Sequence, residues 1–298
     1  MARKKKGEKI DGWLIIDKPL GITSTDVVRR VKRLLQPQKI GHAGTLDPLA
    51  SGILPLGLGE ATKTMTYIVD ATKDYEFVVR WGESTETDDS EGKVTQTSPN
   101  RPSKTEILKA LPAFIGDITQ VPPAYSAIKV DGKRAYDLAR AGRQVKLKGR
   151  TVTIENIELL DASSEDEARF FVHCGKGTYI RSLARDLAKA LGTVGHVTFL
   201  RRTRVGPFSL NSSISLKSLE EPSMTTPARD RVLSLMTALA DIPALALNES
   251  EADKIRHGMA IHLPSLHEGM VCLTLDDQPV GLAKAEADKI SPVRVFNL

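Results

Sequence analysis

Twelve residues, Gly41-His42-Ala43-Gly44-Thr45-Leu46-Asp47-Pro48-Leu49-Ala50-Ser51-Gly52, form a stretch that no helix or strand absorbs whole. Gly41, Gly44, Pro48 and Gly52 punctuate it, so its backbone can take turn geometries that regular elements do not offer. Asp47 stands directly before Pro48, which biases it away from the helical region and stiffens its position. A carboxylate held on such a loop suits chemistry; a turn- or helix-capping acid is the plainer alternative.

At 298 residues the chain exceeds one ordinary core and predicts a large domain plus a small one. A composition of 41% hydrophobic and 27% charged residues is that of a soluble globular protein. No apolar run approaches a membrane span, and Met1–Lys9 is charged with no hydrophobic stretch behind it. Both features argue against a signal peptide and for a cytoplasmic location. Cys174 and Cys272 lie far apart and are expected to be reduced and partly buried. The net charge of +5 is uneven: residues 240–298 carry −4, which leaves +9 on residues 1–239. The excess gathers in Arg3–Lys6, Lys129–Arg150 and Arg201–Arg204, and a polyanionic partner fits it as well as a merely solvated surface does.

Hydrophobic periodicity supplies the elements. A basic tail, Arg3–Lys9, precedes an apolar strand at Trp13–Ile16 and a turn at Asp17–Gly21. Ser24 is expected to cap a helix whose apolar residues Val27, Val28, Val31, Leu34 and Leu35 share one face. Ile53–Leu58 is apolar enough to be buried, and Glu60–Val69 reads as a short helix. Tyr75, Phe77, Val79 and Trp81 alternate with more polar neighbours, the pattern of a strand with one aromatic face. Ser84–Gly92 reads as an acidic loop, and Ser103–Glu106 as a capping box opening a helix. A strand is expected at Ala124–Val130, a helix at Arg134–Ala141 stopped by Gly142, and long strands at Val145–Leu160 and Arg169–Cys174. Thr178–Ile180 leads into a helix at Ser182–Leu191, and Val194–Leu200 could pair with Thr203–Leu210. Pro222–Pro227 marks a boundary, Ala228–Leu239 a connecting helix, and Ser250 a cap before strands at Met270–Leu275, Val280–Ala285 and Val293–Phe296. Mixed strands with scattered helices and no βαβ rhythm predict an α+β fold with a mixed, largely antiparallel sheet.

The run Gly41–Lys63, GHAGTLDPLASGILPLGLGEATK, resembles the signature of the TruB-type pseudouridine synthases. Gly12–Pro19, Lys73-Asp74-Tyr75 and Gly177–Arg181 extend the resemblance over roughly residues 10–210. It implies a pseudouridine synthase fold for residues 10–239, a flexible tail at 1–9, and a small β-rich, PUA-like module at 240–298. It further implies isomerisation of the T-loop uridine 55 of tRNA, with no cofactor, no metal, no required protein partner and a monomeric enzyme. By position in the motifs, Asp47 is the nucleophile, Arg181 its charge partner, and Tyr75 a ring that stacks on the base and handles a proton. Tyr179, two residues from Arg181 and so expected on the same strand face, holds the acid or the base by its hydroxyl; Leu200 lines the base pocket, His42 props the space left by the flipped base, and Lys18 braces the catalytic loop. An aspartate in water titrates near pH 3.9 or about that, so it is ionised at neutral pH and needs no activating base. Once water is excluded, however, it needs a cation.

Rival readings are weaker. Gly57–Thr64 nearly spells a phosphate-binding loop, but Thr62 stands where the glycine must be. His257, His262, His267 and Cys272 recur every five residues, which is not a zinc spacing. Asp88 and Asp89 read as solvated loop acids rather than metal ligands. A catalytically silent RNA-binding protein, or a relative working in a guide-RNA complex, shares the basic surface but predicts no independent turnover. The charge of Lys129–Arg150 predicts an RNA affinity that falls steeply with salt and weakens when charge is removed there. A binding titration across ionic strength checks this, and a flat dependence contradicts it.

Overall fold

A computed structural model describes residues 7–126, 128–130, 132–140, 147–221, 228–264 and 267–298, and divides the chain into two compact units. The first comprises residues 1–47, 53–69 and 206–298; the second comprises residues 48–52 and 70–205.

In the first unit, strand Gly12–Lys18 is buried along almost its whole length, because its run of apolar residues has neighbours on both faces. It pairs in parallel with Ile214–Ser215 and lies beside strand Ala50–Leu58, whose later residues pair antiparallel with Ile40–His42. Helix Ser24–Leu35 follows. Its cap is Thr23, one residue before the expected Ser24, because Thr23 and Asp26 exchange a full capping box. Val27, Val31 and Leu35 are buried, but Leu34 is 45% exposed and falls outside the core stripe. Within the expected tail, Glu8 accepts from Gln38 N–H and donates to the Gln36 carbonyl, so its described residues 7–9 are tied down. The C-terminal part is a five-stranded sheet in the order Ala244–Ala246, Gly269–Leu275, Gln278–Glu286, Lys289–Val295, Ile261–His262. Helix Glu249–Arg256 covers it, capped by Asn248 rather than Ser250, again through a capping box, with Glu251. The β-rich C-terminal module read from the sequence is therefore present.

In place of the single helix expected at 228–239 stand two 3-10 turns, Ala228–Arg231 and Leu235–Leu239. Between them Leu233 exchanges both backbone hydrogen bonds with Trp13, and a helix cannot spare those groups. The expected boundary at 222–227 and the stop at Gly142 lie outside the described residues.

The second unit is a mixed sheet. Strand Gly195–Val205 runs parallel to Ala50–Gly52 on one side and antiparallel to Lys73–Trp81 on the other. Glu167–Cys174, Arg150–Asp161 and Gly116–Gln120 continue it, all antiparallel. Alternating burial along Lys73–Trp81 matches the predicted aromatic face, where Phe77 stacks on Phe170 at 5.2 Å. Three strand expectations change. With partners on both edges, 195–205 remain one strand rather than breaking near 200–203 into two paired ones, and irregularities at Val197–Phe199 and Arg202–Arg204 absorb the misfit. Ala124–Val130 is regular only at Lys129–Val130, and the long strand begins at Arg150. Helix Ile180–Ala190 packs closely on the sheet, where a Cβ on Gly195 would lie 3.1 Å from that of Ala188. Among the described residues no helix is long and apolar enough to cross a membrane.

Gly52 carries the tightest constraint. Its φ is +100° and an added Cβ would sit 2.1 Å from the Arg202 carbonyl oxygen. Gly21, at φ +83°, has open space around it. Thermal denaturation should therefore separate them: Gly21→Ala costs about 1 kcal/mol of backbone strain, and Gly52→Ala costs several-fold more because backbone must move.

Candidate active site

Asp47 is half-buried on the loop between strands Ile40–His42 and Ala50–Leu58. A relay of hydrogen bonds within the first unit holds the loop. Lys18, fully buried, donates through Nζ to the carbonyls of Pro19 (3.0 Å) and Ile22 (2.8 Å), closing the turn before the helix. At the helix start the buried Ser24 Oγ accepts from Leu46 N–H at 2.8 Å and pairs with the Leu46 carbonyl at 3.0 Å. Ala43 N–H reaches the Pro55 carbonyl at 2.9 Å. The residue immediately before Asp47 is therefore pinned to a helix, and Lys18 closes the turn that leads into that helix. His42 ends the short strand opposite Leu56 and enters the same loop.

In the second unit Tyr75 lies opposite Arg202, and Phe77 opposite Leu200. Antiparallel partners share a face, so Tyr75, Phe77, Leu200 and Arg202 line one buried patch. Tyr75 and Leu200 are thus brought together. Lys73, on the same face of the strand, is buried, and desolvation helped by the nearby Arg202 cation pulls its ammonium down to about 8. Burial pushes the Cys174 thiol up to about 11, which makes it unreactive; both cysteines are free and buried.

Arg181 is the second residue of helix Ile180–Ala190 and only 5% exposed. Its guanidinium lies 3.3 Å from Asp89 Oδ2 and donates to the carbonyls of Thr87 (2.8 Å) and Tyr125 (2.9 Å). Tyr179 is not on a strand face with Arg181. The chain turns into helix at Ile180, and Tyr179 caps it, donating its backbone N–H to Gln120 Oε1 at 2.7 Å. Arg150 lies over its ring at 4.8 Å.

Two further expectations are corrected. Asp88 and Asp89 are not solvated acids: Asp89 is 4% exposed beside Arg181, and Asp88 lies 2.8 Å from Arg185. Nor is Arg201–Arg204 a basic surface patch. Arg202 is 1% exposed, and Arg204 pairs with Asp74 at 2.6 Å in a cluster with His173 and Glu155. Burial would raise the Asp74 carboxyl, but Arg204 and His173 outweigh it and hold it below the usual carboxylate range. Asp88, Asp89, Arg185 and Arg202 thus escape a reading of the sequence alone. The usable signal is the coincidence of adjacent acids with arginines four residues apart on one helix.

Residues 32–180 match the model of the TruB family pseudouridylate synthase N-terminal domain. The chain belongs to the TruB family. Residues 181–242 match the tRNA pseudouridylate synthase B C-terminal domain, and residues 243–296 the pseudouridine synthase II TruB C-terminal domain. Similar proteins include the tRNA pseudouridine synthase B of Rhodospirillum rubrum, 50% identical over 308 residues, and that of Caulobacter vibrioides, 50% identical over 309 residues. All of both chains are covered in each case. Among solved structures, a chain of a Cbf5-Nop10-Gar1 complex superposes with a TM-score of 0.73 at 29% identity, covering 96% of this chain and 84% of that one. As a TruB-family member the chain is an isomerase with the pseudouridine synthase fold. The family expectation raised by Gly41–Lys63 is met, and the mixed sheet and β-rich C-terminal part agree with it.

Proposed function

We propose that this TruB-family enzyme converts the T-loop uridine 55 of tRNA into pseudouridine, with Asp47 as the nucleophile. The observation that carries the reading is the full-length similarity, at half identity, to proteins named tRNA pseudouridine synthase B. A braced, half-buried aspartate on a glycine-rich loop supports it.

The target base is stacked in a folded T arm and must be flipped out, which costs a few kcal/mol. His42 fills the vacated space. Tyr75 and Leu200 enclose the uracil in their shared buried patch, and Tyr75 also stacks on it. The Asp47 carboxylate attacks C1′ of the ribose or C6 of the ring. The C1′–N1 bond breaks, the uracil turns, C5 bonds to C1′, and the bond to Asp47 breaks to return the free carboxylate. The hydrogen on C5 leaves as a proton, with the Tyr75 hydroxyl nearby as acid or base. Arg181 serves as the charge partner that favours the ionised form of Asp47, and Tyr179 supports the base-binding side. The rearrangement is internal and consumes neither an electron nor a cofactor. The enzyme works as a monomer without guide RNA or protein partner, in the cytoplasm where tRNA matures.

Purified full-length chain and a tRNA transcript tritiated at C5 of uridine test this. Wild type should release one tritium per tRNA, the balance required by C5–C1′ bond formation. Asp47→Asn, or a transcript with the T-loop uridine replaced, should release none. Release by Asp47→Asn would overturn the assigned nucleophile. Tight binding without release by wild type would leave an RNA-binding protein in place of the enzyme.

A further inference from the structure

Arg185 lies one helical turn beyond Arg181, on the same face of helix Ile180–Ala190. It donates to Asp88 Oδ2 at 2.8 Å and to the Val121 carbonyl at 2.8 Å, and its Nε lies 3.0 Å from Asp186 Oδ1. Arg181 reaches the neighbouring acid, Asp89, together with the carbonyls of Thr87 and Tyr125. Ser182 Oγ joins Arg185 on the Val121 carbonyl at 2.9 Å. The first two turns of one helix therefore clasp two irregular segments, 87–89 and 121–125.

A carbonyl fixes a guanidinium only as firmly as its own segment is fixed. Thr87 and Asp89 flank Asp88, whose φ of +59° is a left-handed conformation that ordinary residues rarely adopt. Three contacts hold Asp88 there: its side chain meets Arg185, its carbonyl accepts from Val197 N–H at 3.1 Å, and its N–H donates to the Thr85 carbonyl at 3.3 Å. Without the Arg185 contact the Asp88 peptide can relax, and the Thr87 carbonyl and Asp89 carboxylate move with it. We infer that Arg185 and Asp88 are positioning residues for pseudouridylation, a second ion pair that sets where the Arg181 guanidinium stands. The inference rests on the reading that Arg181 serves the chemical step.

The pair also carries a pH signature. Charged groups facing Asp88 are Arg185, Arg181 and Asp186. Burial and Asp186 push its carboxyl up, and the two arginines only partly offset them. A raised carboxyl takes its proton at a milder pH than an ordinary aspartate, so acidification removes the anion that Arg185 grips. The fold tolerates this, because the protonated form is the one burial favours; the arginine loses its anchor.

The test uses full-length chain and intact tRNA. Arg185→Gln and Asp88→Asn should each lower kcat about 10-fold, the scale of a small misplacement of a catalytic group, with KM moved less than about 2-fold. The double variant should be no slower than the slower single one, because both remove the same contact. Asp88→Asn should also lose the acid limb contributed by Asp88. If Arg185→Gln is too unstable to assay, Arg185→Lys, which keeps the charge but not both hydrogen bonds, should give an intermediate kcat. Wild-type kcat in Arg185→Gln, a rise in KM alone, or fully additive losses would each overturn the inference. An inactive Asp47→Asn beside a fully active Arg185→Gln sinks this inference only; an active Asp47→Asn sinks the reading beneath it.

Discussion

The buried guanidinium of Arg181 is the group on which the second unit's irregular parts depend. A charge that is 5% exposed forfeits hydration worth several kcal/mol unless its hydrogen-bond donors are answered. Here the answer comes from Asp89 and from the carbonyls of Thr87 and Tyr125, all on segments with no repetitive backbone pairing of their own. The cation and the loops therefore stabilise each other. The helix start that bears Arg181 is in turn fixed through Tyr179 N–H to Gln120 and Ser182 to Val121.

The first unit solves its own version of the problem with Lys18. That ammonium is fully buried and binds the carbonyls of Pro19 and Ile22, which fixes the entry to helix Ser24–Leu35. Ser24 then holds Leu46, and Asp47 follows. In each unit a buried cation organises turn carbonyls, and a candidate catalytic residue is the beneficiary. In the proposed reaction this rigidity keeps the carboxylate and its charge partner from spending reaction free energy on rearrangement.

Much of this is legible in the sequence where a local pattern maps directly onto a physical requirement. The alternation Tyr75–Phe77–Val79–Trp81 marks the central strand, and the S-x-x-E box at Ser103 marks a helix start, which the structure bears out. The Gly41–Lys63 run points to the family. Failures arise where long-range partners override local chemistry. Thr23 and Asn248 cap because their own N3 acids reach back, which neighbouring serines at Ser24 and Ser250 do not match. Residues 195–205 stay one strand because two distant strands flank them. Acids in Ser84–Gly92 and arginines in Arg201–Arg204 look solvated from composition, since charge patterns do not reveal a partner a hundred residues away. Strand geometry carried across a helix start misplaces Tyr179. The roles assigned to Asp47, Tyr75, Arg181, Tyr179, Leu200 and His42 remain the proposed mechanism.

The most direct measurement is the single-turnover rate of Arg181→Lys with saturating enzyme and T-arm-intact tRNA, alongside its tRNA affinity. Lysine keeps the charge but cannot hold Asp89 and two carbonyls with one planar fork of donors. The account predicts an affinity close to wild type and a chemical step slowed at least about 100-fold, the scale of losing one oriented electrostatic partner. A wild-type rate, or a loss confined to binding, would contradict it.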